Sequence, residues 1–223
     1  LEAISISSDK ISKDIEVRDN ALEPLPICQK FIQLRYPWND LVREFFIARN
    51  YDWKDFTECI LFCEDYKKND YSFGPRLIFP IYQFGTYRGF QGRTIYKNTI
   101  PKYTGATNMG KGSILYNYDV AFNQSEQLVI TEGFFDQISV GETAVATLGK
   151  NISDIQLRLI RLGDFKRVIV FLDKDAEKEA RSNCSKLSPY FNTYLAIPDR
   201  KDPGDMTKNE IEYLFKNKLE RIY

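Results

Sequence analysis

From residue 127 onward, short apolar runs rich in β-branched residues alternate with amphipathic stretches, and no other feature narrows the possible folds as much. Strands are expected over residues 128–131, 144–147, 167–172 and 193–197. One helix is expected between the first two strands, and others start at Ser153, Asp175 and Thr207. Strands this apolar are covered on both faces, and the intervening helices act as crossovers, which describes a parallel sheet of about four strands flanked by helices. Ser153 and Thr207 suit N-cap positions, and Glu210 follows Thr207 at the spacing of a capping box.

Residues 72–118 are different in kind. They contain Arg76, Arg88, Arg93, Lys97, Lys102 and Lys111, no Asp or Glu, ten Phe or Tyr and seven Gly. Expected strands at 77–84 and 87–96 around a Gly85-Thr86 turn describe an antiparallel hairpin. The whole chain carries 31 Lys+Arg against 31 Asp+Glu, so this segment is a local positive field in a neutral protein. Upstream, apolar residues recur at helical spacing over 38–50 and 53–62, with Asn39 and Asp52 as N-caps, so a helical pair is expected. Residues 1–35, polar and then proline-bearing, read as an irregular lead-in. The fold class is therefore α/β, or α+β overall, in three parts. Residues 1–70 are a lead-in and helical pair, 71–125 a basic, aromatic-rich subdomain, and 126–223 the parallel-sheet domain.

The chain has no histidine, which excludes imidazole-based triads, acid–base pairs and histidine-ligated zinc hydrolases within it. Its four cysteines, Cys28, Cys59, Cys63 and Cys184, form no C-x-x-C pair. Cys59 and Cys63 are spaced to share a helix face, but without histidine they read as reduced core thiols of a cytoplasmic protein, not as structural zinc ligands. No run of 18 apolar residues and no basic-then-apolar leader is present, so neither a membrane partner nor secretion is expected. The chain opens on Leu1 instead of Met, which suggests a fragment with parts upstream.

Three acidic stations sit where expected strands end: Glu132 in Thr-Glu-Gly, Asp173 and Asp175 in Leu-Asp-Lys-Asp, and Asp202 with Asp205 in Asp-Pro-Gly-Asp. Carboxylates gathered at the C-terminal edge of a parallel sheet form an oxygen-rich site for hard divalent cations. In extended chain the i and i+2 side chains share a side, so Asp173 and Asp175 are expected to reach one site together. Read singly, each station has a bland alternative, as a turn residue or helix cap. Three in successive βα units are much harder to obtain by chance.

The ordered set Thr-Glu-Gly-Phe-Phe-Asp136, Leu-Asp-Lys-Asp and Lys-Asp-Pro-Gly-Asp resembles the TOPRIM domain shared by bacterial-type primases, type IA and II topoisomerases and some nucleases. The upstream block Arg76-Leu-Ile-Phe-Pro-Ile, Arg88-Gly-Phe-Gln-Gly-Arg93, Pro101-Lys102-Tyr103 and Lys111-Gly112 resembles the segment before TOPRIM in bacterial replicative primases. The stretch Phe45-Phe-Ile-Ala-Arg-Asn-Tyr-Asp resembles their lead-in more weakly. The resemblance implies a DnaG-like primase core in which Glu132, Asp173 and Asp175 are catalytic and bind metal, with Asp202 and Asp205 nearby. It implies Mg²⁺ or Mn²⁺, two ions, as cofactor. Arg76, Arg93, Lys102 and Lys111 would then face ribonucleoside triphosphate and single-stranded DNA template. A helicase partner would dock through parts outside this sequence. Ala176-Glu177 departs from the small residue and glycine usual after the aspartate pair. The competing readings are a TOPRIM nuclease using the same metals and a non-catalytic nucleic-acid-binding module using the basic block alone.

Overall fold

The computed structural model of the protein describes residues 22–56, 60–124, 126–199 and 202–223. Its strands form two five-stranded sheets and a short ribbon pairing Lys67–Lys68 with Tyr71–Ser72. The first sheet is antiparallel and runs in chain order: β1 (Gln29–Lys30), β2 (Leu61–Cys63), β3 (Arg76–Gln83), β4 (Thr86–Thr94) and β5 (Tyr103–Gly105). Pro80 is tolerated in β3 because β2 pairs only as far as Ile78, and the carbonyl of Phe90, opposite it on β4, accepts the Ala106 N–H at 3.0 Å instead. The β3–β4 hairpin turns one residue earlier than expected, at Phe84 and Gly85, with φ of 55° and 68°. Both values suit a two-residue hairpin of the primed type, and the Asp119 carboxylate accepts the two turn N–H groups at 2.6 and 2.8 Å.

Helix α1 (Trp38–Ile47) buries Val42 and Phe46. It starts at Trp38, so Asn39 lies inside it; the Asn39 side chain instead accepts the Asp40 N–H. The second helix of the expected pair is replaced by a 3-10 turn, Trp53–Phe56, followed by strand β2. A short apolar run such as Ile60-Leu-Phe-Cys63 suits either period, and pairing with β3 decides the outcome. Cys63 is therefore on a strand, and Cys59 lies outside the described residues. The expected lead-in is outside them up to residue 21, and Phe31–Gln33 forms a further 3-10 turn.

The second sheet comprises β6 (Gln127–Thr131), β7 (Ala144–Ala146), β8 (Arg167–Val170), β9 (Asn192–Leu195) and β10 (Glu220–Ile222). In space the order is β10-β9-β8-β6-β7, parallel except for β10, which pairs antiparallel with β9. The four expected parallel strands are present. The fifth, β10, goes beyond the sequence expectation, because Glu-Arg-Ile has no apolar run. Five helices accompany this sheet: α2 (Tyr118–Gln124), α3 (Phe134–Val140), α4 (Asp154–Ile160), α5 (Glu177–Leu187) and α6 (Lys208–Asn217). Ser153 and Thr207 cap α4 and α6 through side-chain oxygens that accept the Gln156 and Glu210 N–H groups.

Helix α3 joins the two halves. Phe134 stacks on Phe79 of β3 at 4.7 Å between ring centres, and Phe135 meets Phe45 of α1 at 5.8 Å. Burying each ring contributes on the order of 1.5–3 kcal/mol, enough to hold the basic sheet against the acidic edge of the parallel one. Among the described residues, no helix is long and apolar enough to cross a membrane.

Candidate metal and nucleotide site

Strand β6 ends at Thr131, whose buried hydroxyl donates to the Val145 carbonyl at 3.1 Å, and the next residue is Glu132. Glu132 lies where the chain turns through Gly133 into α3. The turn is held by Asp136, which accepts the Gly133 N–H on Oδ2 at 2.8 Å. The other oxygen of Asp136 accepts the Gly204 N–H at 2.9 Å, tying the Asp202–Asp205 turn to the same helix. Ser139 donates to the Pro203 carbonyl at 2.7 Å, and the Tyr51 hydroxyl lies 2.8 Å from the Gly204 carbonyl and 3.0 Å from that of Phe135. The approach requires glycine, since a Cβ on Gly204 would fall 2.8 Å from Asp136 Oδ1 and 3.1 Å from Phe135 Cβ.

Asp173 follows β8 and is half-buried beside this assembly. It lines one cavity of about 310 Å³ with Glu132, Asp136, Asp202 and Asp205. Asp175 behaves differently from expectation. The chain does not continue extended after Asp173 but enters a 3-10 turn, Lys174–Ala176, so the i, i+2 argument fails. The Asp175 side chain is 76% exposed at the rim and pairs with Lys150 Nζ at 3.0 Å.

The carboxylates repel one another in a partly desolvated place. Burial first, and then the Asp173 charge, push Glu132 up to about 6. Burial and the Asp202 and Asp175 charges push Asp173 up to about 6. Burial and Asp173 raise Asp136 to about 7 against its two N–H donors, which pull the other way. Glu132 Oε2 and Asp173 Oδ1 are buried without a hydrogen-bond partner. Among the described residues, no three carboxylates stand close enough to cage an ion unaided. Two orphaned oxygens beside further acids fit a cation that keeps its waters and takes other ligands from a phosphate, as Mg²⁺ does.

The cavity also has a cationic lining. Arg49, Lys102 and Lys111 line it together with Tyr103. Burial, then the charges of Arg93 and Arg49, lower the Lys102 pKa, so an anion there would relieve the repulsion. The buried Gln156 amide nitrogen lies 3.2 Å from the Lys111 carbonyl and 2.8 Å from that of Ile114, fixing the Lys111 turn to α4. Arg49 was not singled out from the sequence. Its guanidinium sits 5.1 Å from the Phe45 ring centre, 4.7 Å from that of Phe135 and 3.7 Å from Asp205. The signal was present in the Phe45-to-Asn50 stretch, where an arginine follows a run of aromatic residues.

Arg93 faces an adjoining groove of about 370 Å³ shared with Arg49, Phe45, Tyr96, Lys97 and Asp205. It is 6% exposed and lies over Tyr103 at 4.7 Å, and its Nε and Nη1 atoms have no partner. Arg76 departs from the expectation that it faces ligand. It is 0% exposed, and its guanidinium donates to the carbonyls of Phe73, Pro101 and Lys102 at 2.9–3.2 Å. It braces the loop that presents Lys102 and does not line the cavity. Of the ten aromatic residues in the basic segment, Phe79, Phe90 and Tyr118 are core, and Tyr103 lines the cavity. A larger hollow of about 550 Å³ around Asp199, Met206, Tyr213 and Lys218 gathers no comparable set of acids.

Residues 129–207, which span Glu132, Asp136, Asp173, Asp202 and Asp205, match the family described as Toprim-like. The chain is related to the bacterial DNA primases. It is 32% identical over 167 residues to the DNA primase of Helicobacter pylori strain J99, covering 66% of this chain and 28% of that one. It is 26% identical over 197 residues to the DNA primase of Clostridium acetobutylicum, covering 82% of this chain and 33% of that one. The chain thus spans about a third or less of these relatives. A crystal structure of the Aquifex aeolicus primase, comprising its zinc-binding and RNA polymerase domains, shares the fold with a TM-score of 0.58 and 24% identity over 71% of this chain and 45% of that one.

Proposed function

We propose that this chain is the catalytic core of an RNA primase, a nucleotidyltransferase that makes short RNA primers from ribonucleoside triphosphates on single-stranded DNA. The observation that carries this reading is the single cavity lined by Glu132, Asp173, Asp202 and Asp205 together with Arg49, Lys102 and Lys111. Glu132 and Asp173 would hold divalent cation, with Asp202, Asp205 and the rim residue Asp175 in support. When bound, Mg²⁺ or Mn²⁺ supplies charge neutralisation and activation of the attacking hydroxyl. Lys102, Lys111 and Arg49 would receive the triphosphate, and Arg93 the phosphates of nucleotide or template in the adjoining groove. Arg76 would act at one remove, by fixing the Lys102 loop. The test is incorporation of labelled ribonucleotide on single-stranded DNA with Mg²⁺ or Mn²⁺, beside a strand-degradation control. New oligonucleotides support a primase, whereas shortened strands alone would make the chain a nuclease.

Arg93→Ala is expected to weaken binding of single-stranded DNA or triphosphate and to make its salt dependence shallower by about one phosphate contact. Titrations of parent and variant with parallel slopes would remove Arg93 from the contact list.

The carboxylates also make the metal-free protein sensitive to pH. Glu132, Asp136 and Asp173 titrate near 6–7 when folded and near 4 when unfolded, so between these limits the folded state holds more protons. Stability contributed by these groups is therefore greatest below about pH 4 and declines as pH rises toward 7. Melting temperatures in chelator should fall from pH 5 to pH 8, and Mg²⁺ should restore the loss at pH 8. A pH 8 melt indifferent to Mg²⁺ would argue against a cation at these oxygens.

A further inference from the structure

The loop after β7 places a lysine ammonium against the acidic site. Its backbone is well fixed. The Thr147 hydroxyl lies 3.0 Å from the Thr131 carbonyl and 2.6 Å from that of Gly149, and the buried Asn183 amide donates to the Lys150 carbonyl at 2.8 Å. From this anchored base Lys150 reaches the rim, 3.0 Å from Asp175 Oδ2, and its side chain remains 37% exposed. Its charge acts beyond that contact, opposing the mutual repulsion at both Glu132 and Asp173. The ammonium thus stands where it neutralises the same carboxylates that would neutralise a divalent cation.

We infer that Lys150 is a tethered counter-ion that competes with divalent metal for Asp175 and must leave that carboxylate when metal takes it. This rests on the proposed catalytic reading and deepens it. An exposed ion pair of this kind is weak, because water screens it and two flexible side chains must be held together. A compact ion of twice the charge, kept by Glu132 and Asp173 as well, can displace it. The lysine therefore sets a threshold on metal binding without blocking it. Once free, the ammonium is carried on a loop whose position is fixed by Asn183, so it stays at the mouth of the site.

The test is Mn²⁺ binding to the full chain without nucleotide, followed by the spin resonance signal of free Mn²⁺ and by calorimetry. The parent, Lys150→Ala and Lys150→Arg are compared, with melting curves to establish that each is folded. Lys150→Ala should bind Mn²⁺ about three- to tenfold more tightly at low salt, because both the competing pair and the ammonium's repulsion of the ion are removed. The advantage should shrink as salt rises. Lys150→Arg, which keeps the charge, should bind like the parent. Equal affinity in parent and Lys150→Ala would overturn this inference alone, as would an arginine variant as tight as the alanine one. Failure of both parent and alanine variant to bind Mn²⁺ would overturn the catalytic reading as well.

Discussion

Asp173→Asn is expected to lower primer synthesis by more than about 100-fold, because changes even to groups that merely orient a metal ligand cost up to that much. The same substitution should raise the melting temperature of the metal-free protein by about 2 °C, in proportion to a modest relief of repulsion in a chain of this size. Asp173 is ionised at neutral pH only against burial and the charges of Asp202 and Asp175, and an amide has no charge to repel. The stabilisation by Mg²⁺ should fall together with activity. Melting curves with and without Mg²⁺, run beside the incorporation assay, separate the possibilities. A variant that melts lower than its parent would mean that Asp173 supports the fold, and one that still makes primers would remove it from the chemistry.

Asp136→Ala should have the larger effect on stability. The carboxylate accepts the N–H groups of Gly133 and Gly204, which lie 71 residues apart, and an alanine leaves both donors without a partner. An unsatisfied buried donor costs about 1–3 kcal/mol. A total loss of about 3 kcal/mol would lower the melting temperature by roughly 6–12 °C. Activity at a temperature where the variant is folded should fall at least about tenfold, since Glu132 and the Asp202–Asp205 turn lose their common anchor. Asp136→Asn keeps one acceptor oxygen and should lie between the two. An alanine variant with the parent's melting point would mean that Ser139 and Tyr51 hold the turn unaided.

What the sequence made legible follows periodicity and spacing. The four parallel strands and the caps at Ser153 and Thr207 depend on residues near one another in the chain, and the convergence of Glu132, Asp173, Asp202 and Asp205 follows from their places after strands that share one parallel edge. Strand β2 could not, since a four-residue apolar run suits a helix as well and only its pairing with β3 selects a strand. The exposed position of Asp175 depends on a 3-10 turn that the spacing of two aspartates does not announce. Arginine roles were the least legible. An acid-free segment signals local charge but not which guanidinium is drawn inward, and Arg76 is fixed by carbonyls 25 and 26 residues downstream. Arg49 and Lys150 reach the site from loops outside that segment, and of the two only Arg49 had a local signal, the phenylalanines before it.

The position of Arg49 has a kinetic and entropic consequence. A free arginine samples many rotamers, and immobilising one on a ligand costs up to about 1.5 kcal/mol. Packed against the rings of Phe45 and Phe135, which also touch each other, the side chain has already surrendered much of that freedom on folding. An incoming phosphate therefore meets a preorganised donor whose orientation need not be searched for, and small shifts of either ring would be transmitted to the bound anion.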